Sequence, residues 1–82
     1  MTSEEILPQL TRIIIEVAHC GPVPINRATR ALDVRGWDSL THTTILMQIE
    51  DHFGLRLPLE RVLNLRNVGE LADLIAELRH SA

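Results

Sequence analysis

Apolar side chains return at helical spacing along three stretches of the chain and never alternate for long at spacing two, a pattern that predicts helices and no sheet. In the first stretch Ile6, Leu10, Ile13 and Val17 repeat every three or four positions behind Ser3, Glu4 and Glu5. A serine followed by acids suits a helix start, where its oxygen and their charges meet unpaired N–H groups. A helix is therefore predicted from about residue 4 to about residue 18. Pro8 falls early enough to be tolerated, at the loss of one hydrogen bond and with a kink or a delayed first turn. From His19 to Asp38 the periodicity lapses and Gly21, Pro22, Pro24 and Gly36 appear, which predicts a long ordered loop with a short helical turn near Arg27 to Leu32.

The pattern resumes with Leu40, Ile45, Leu46, Met47, Ile49 and Phe53. A second helix is predicted over Ser39 to Phe53, opened by Asp38 as its N-terminal cap and stopped by Gly54. Leu55, Leu57 and Pro58 suit a short extended connection, and Leu59 to Leu65 is long enough for only one or two helical turns. Asn67 with Glu70 three residues later reads as a capping box. It leads into Val68, Leu71, Leu74, Ile75 and Leu78 on one face, a helix reaching about Arg79. The expected fold is all-α: a four-helix bundle of three main helices and one short one with a long first loop, a single domain over residues 1–82. Leu46, Ile49, Leu71, Leu74 and Ile75 are expected in its core.

Composition narrows the function. Hydrophobic residues make up 45% of the 82-residue chain but aromatics only 2%, so the core is aliphatic, and so small a domain has no room for an enclosed active-site cleft. The net charge is −3 and all basic residues are arginines spread from Arg12 to Arg79. No cluster follows a phosphate backbone, which speaks against a nucleic-acid reader. The lone Cys20 allows no internal disulfide, the first residues lack the features of a secretion signal, and the longest apolar run is far short of a membrane span. The expectation is a cytoplasmic protein without a membrane segment.

A loop this long in so small a domain needs a reason, and its end supplies one. Gly36-Trp37-Asp38-Ser39-Leu40 sets a serine hydroxyl on the first turn of a helix beside solvent, where unpaired N–H groups and a partial positive charge favour a phosphodiester on Ser39. His42 follows Ser39 by three residues, but an exposed helix face offers neither an orienting acid nor water exclusion, so a hydrolase is not expected. His19 and Cys20 are adjacent and lack a second pair at ligand spacing, so no metal ligand is assigned. Trp37 reads either as a shield for a group on the serine or a contact for a partner, or as a cover for the edge of the core.

Asp38-Ser39-Leu40, the order of helices and the length of the first loop together resemble the acyl carrier protein family, including its peptidyl and aminoacyl carriers. The likeness runs from Leu32-Asp33 through Met47, Glu50-Asp51-His52-Phe53 and Leu57-Pro58 to the Val68–Leu78 helix. It implies a non-catalytic carrier that bears 4′-phosphopantetheine, taken from coenzyme A, on Ser39 and holds its cargo as a thioester. By the same resemblance Asp38 helps a phosphopantetheinyl transferase recognise the serine, and Leu40, Thr43 and Met47 face partner enzymes. Those partners would be an acyl- or aminoacyl-loading enzyme and downstream synthase or transferase enzymes, met by a monomer. Many fatty-acid carriers place acids early in this helix; here Thr41, His42, Thr43 and Thr44 occupy that turn. The expectation is thus a carrier of a specialised polyketide, aminoacyl or related pathway, with a fatty-acid synthesis carrier or a cofactor-free interaction module as the alternatives.

Overall fold

A computed structural model describes residues 2–21 and 24–81. Four α-helices follow one another, α1 over Ser3–Ala18, α2 over Ser39–Phe53, α3 over Leu59–Leu63 and α4 over Val68–Ser81, with one 3-10 turn at Ala31–Asp33 in the long first loop. No strand occurs among the described residues.

Helix α1 opens one residue earlier than the sequence suggests. Thr2, not Ser3, is the cap: its hydroxyl accepts from the Glu5 N–H at 3.3 Å, and the Glu5 carboxylate accepts from the Thr2 N–H at 3.3 Å. Only Thr2 has a glutamate three positions on, so only there does the exchange close. Pro8 neither delays nor ends the helix, which runs on through it. Past Ala18, His19 turns left-handed (φ 53°) and donates its N–H to the Ile15 carbonyl at 3.0 Å, which stops the helix.

Helix α2 has the predicted bounds, with Asp38 at its head and Gly54, at φ 64°, at its foot. The short α3 ends at Leu63 rather than Leu65, because the Asn64 and Leu65 N–H groups fold back on the Arg61 and Val62 carbonyls. The paired residues expected before α4 are present. Asn67 Oδ1 accepts from the Glu70 N–H at 2.8 Å, while the Glu70 carboxylate reaches one residue further back to the Arg66 N–H at 3.1 Å.

Helix α1 packs along both α2 and α4. The shared interior takes Ile6, Leu10 and Ile14 from α1, Ile45 and Ile49 from α2, and Ile75 from α4, all without solvent contact. Truncating one such isoleucine to alanine costs about 2–5 kcal/mol, because a bundle this small closes poorly over the void. Of the residues expected in the core, Leu46 is the exception. It is half-buried, because it faces the gap between α2 and the first turns of α4 rather than α1.

The long loop is held in place through backbone bonds. The N–H groups of Val68 and Gly69, which have no partner inside α4, donate to the Thr29 and Arg27 carbonyls at 2.8 and 2.9 Å. Asp73 of α4 accepts from the Arg27 guanidinium at 2.7 Å, and Val34 enters the core. At the far end of the loop Gly36 (φ 88°) lies so close to the Ala18 carbonyl that a Cβ there would overlap it. The loop is therefore held against α4 through Arg27 and Thr29 and against the end of α1 through Gly36 before it reaches α2.

Candidate functional site

The head of α2 is built by three consecutive local devices. Gly36 makes the left-handed turn against the end of α1, and the Trp37 N–H closes a turn onto the Val34 carbonyl at 3.2 Å. Asp38 then takes an extended conformation (φ −104°, ψ −173°), and its carboxylate accepts from the Thr41 N–H at 2.9 Å. That N–H holds the Asp38 carboxyl below the ordinary carboxylate value, since bonding to the ionised form favours it. The Asp38 carbonyl meanwhile accepts the first helical bond, from the His42 N–H at 2.8 Å.

Ser39 is the first residue of α2 and is exposed, and its hydroxyl has no partner among the described residues. It is not bonded to His42, so the two do not form a nucleophile and base. Instead Trp37 Nε1 donates to His42 Nδ1 at 3.0 Å, and the two rings lie 6.0 Å apart at 27°. Trp37 is half-buried and packs against the core, which favours the edge-covering role for it. An indole can only donate, so the contact fixes Nδ1 of His42 as the acceptor and leaves the proton on Nε2.

Leu40, Thr43 and Met47 come out on one outward face of α2 below the serine; Leu40 is 79% and Met47 61% exposed. Thr43 and Thr44 bond back to the Ser39 and Leu40 carbonyls at 3.2 Å, so their hydroxyls are used within the helix and the face presents methyl groups. It carries no acid until Glu50, whose carboxylate is itself bonded by the Leu57 N–H at 2.8 Å. Among the described residues no three His, Cys, Asp or Glu side chains converge as metal ligands. Cys20 is half-buried and directs its thiol at the Gly21 carbonyl.

One feature of the site has no signature in the chain. Behind the Trp37–His42 pair lies a cleft of about 80 Å³, formed where the first loop, α2, α3 and the start of α4 meet. Leu46, Val62, Leu65 and Leu71 line its interior, with His42, Arg66 and Asn67 as its polar members. Trp37, His42 and Ala31 also line the shallow depression that contains Ser39, so the pair stands between serine and cleft. Residues this far apart in sequence obey no spacing rule: Arg66 belongs to no motif, and Asn67 reads only as a helix cap.

A short capped helix order with a long loop, an aliphatic core and an unpartnered serine at a helix head defines a class, the small helical carrier domains. Comparison with known proteins gives the family. Residues 8–75 match the family model described as a phosphopantetheine attachment site. The acyl carrier protein of Acidothermus cellulolyticus is 35% identical over 82 residues, which span 100% of this chain and 98% of that one. The meromycolate extension acyl carrier protein of Mycobacterium leprae is 35% identical over 78 residues, 95% of this chain and 68% of that one. Among solved structures, the solution NMR structure of the holo acyl carrier protein from Geobacter metallireducens matches with a TM-score of 0.83 at 33% identity, over 92% of this chain and 86% of that one. The chain belongs to the acyl carrier protein family, whose members carry covalently attached phosphopantetheine.

Proposed function

We propose that Ser39 is the attachment residue and that residues 1–82 form one non-catalytic carrier domain, which presents an acyl cargo to separate enzymes in the cytoplasm as a monomer. The observation that carries this reading is the exposed, unpartnered Ser39 hydroxyl at the head of a capped 15-residue helix, inside the segment that matches the family model. The residues fit the group. The first N–H groups of α2 have no intrahelical acceptor, Asp38 engages chiefly that of Thr41, and a phosphodiester at Ser39 meets the positive end of the helix. The arm supplies a terminal thiol that holds cargo as a thioester. The chain supplies position: Asp38 keeps the serine on its turn and marks it for a phosphopantetheinyl transferase, while Leu40, Thr43 and Met47 offer an apolar docking face to the loading and synthase enzymes.

The neutral first turns of α2 favour a specialised pathway, polyketide or related, over a fatty-acid synthase that docks on acids. No helix among the described residues is long and apolar enough to cross a membrane. The test is intact mass before and after incubation with coenzyme A and a promiscuous phosphopantetheinyl transferase. Wild type gains one phosphopantetheine. Ser39→Ala gains none and keeps its stability within about 0.5 kcal/mol, as for an exposed residue whose side chain bonds nothing. A mass gain in the variant would remove Ser39 from the assignment.

A further inference from the structure

We propose that the cleft behind Trp37 and His42 selects cargo by its polar groups, favouring short acyl thioesters that bear an oxo or carboxylate group and rejecting those that bear a protonated amine. This rests on the carrier reading and goes beyond it to the class of cargo. The cleft's polar lining consists of His42, Arg66 and Asn67, with no carboxylate among its members. Each of the three offers a donor. His42 Nδ1 is taken by the Trp37 indole, which leaves Nε2–H free to donate. Asn67 Oδ1 is taken by the Glu70 N–H, which leaves the Nδ2 hydrogens. The Arg66 guanidinium forms no ion pair or hydrogen bond among the described residues and has donors only.

An apolar interior whose polar side is rich in unpaired donors complements a carbon chain that carries acceptors. An oxo group or a carboxylate entering past Trp37 meets three donors and one fixed positive charge. An ammonium group meets at most the second lone pair of Asn67 Oδ1 beside the like charge of Arg66, and leaves most of its own hydrogen bonds in water. Size sets the second limit. The 80 Å³ cleft is roughly half the ~150 Å³ apolar cavity that holds one benzene ring, so it takes only the few carbons next to the thioester. The approach is short, because the depression around Ser39 and the cleft share Ala31, Trp37 and His42.

The test uses the holo protein carrying four cargoes of similar length on its arm: 3-oxobutyryl, malonyl, butyryl and β-alanyl. Side-chain N–H resonances of Arg66 and Asn67 are followed by NMR, and thioester hydrolysis is compared with that of the same thioester on free pantetheine. The 3-oxobutyryl and malonyl forms should shift both resonances and gain about fivefold more protection than the β-alanyl form, the size of one charge-assisted hydrogen bond shared with water. Arg66→Ala, which removes a side chain that bonds nothing, should abolish that difference. Asn67→Asp keeps the acceptor that caps α4 and replaces the free donor by an anion, so it should move the preference toward β-alanyl. Equal shifts and equal protection for all four cargoes would overturn the proposal while leaving the carrier function intact. Failure of the protein to accept any arm would overturn both.

Discussion

Gly36 separates two effects that usually arrive together. Replacing it with alanine imposes a side chain at φ 88° and drives the new Cβ into the Ala18 carbonyl oxygen, with the carbonyl carbon at 3.5 Å and the Ala18 Cβ at 3.8 Å behind it. The conformational part costs about 1–2 kcal/mol, and forcing a methyl into occupied space adds about 1–3 kcal/mol. The sum is about 2–5 kcal/mol, a large share of the roughly 4–12 kcal/mol expected of a domain this size. Gly54 is the control: it is also left-handed, at φ 64°, but a Cβ there meets nothing within 4 Å, so Gly54→Ala should show the conformational part alone.

Urea unfolding of both variants, followed by far-UV circular dichroism and by the fluorescence of Trp37, measures the two. Trp37 is the only tryptophan and adjoins Gly36, so its fluorescence also shows whether the loop detaches before the bundle melts. The midpoint of Gly36→Ala should fall well below that of Gly54→Ala. Equal midpoints by both probes would refute the claim that the loop is clamped against the end of α1.

Two other expectations concern charge. The Asp38 carboxyl is held below its ordinary value by the Thr41 N–H, so its support of α2 is complete above the unfolded value of about 3.9 and is lost as pH falls through the lower folded value. The Thr41 amide resonance should therefore titrate below about pH 3.9 in wild type and stay flat in Asp38→Asn, which keeps an acceptor without a titrating group; a midpoint at or above the ordinary value would contradict this. Because the proposed docking face of α2 is uncharged around Leu40, Thr43 and Met47, affinity for a cognate synthase enzyme should change little between about 50 and 200 mM salt. A steep loss, measured by calorimetry, would place the recognition on charges elsewhere.

The sequence by itself determined the helices and the residue at the head of α2. Spacing, Asp38, Gly54 and the Asn67–Glu70 pair act within a few positions of one another, and effects of that range are present in the order of residues. Such rules also err locally: Ser3 followed by acids reads as the cap, but the cap is Thr2, which alone has Glu5 three positions on to close the exchange. Leu40 and Leu46 are alike to any scale of hydropathy, and only the packing of α1 against α2 and α4 left the first in solvent and turned the second toward a cleft. The tertiary structure alone decided that Trp37 would bond His42, that Gly36 would press on Ala18, and that Arg66 and Asn67 would line the same space as His42. These contacts depend on where separate helices and a loop meet, and that is set by the filling of the whole core rather than by any local spacing.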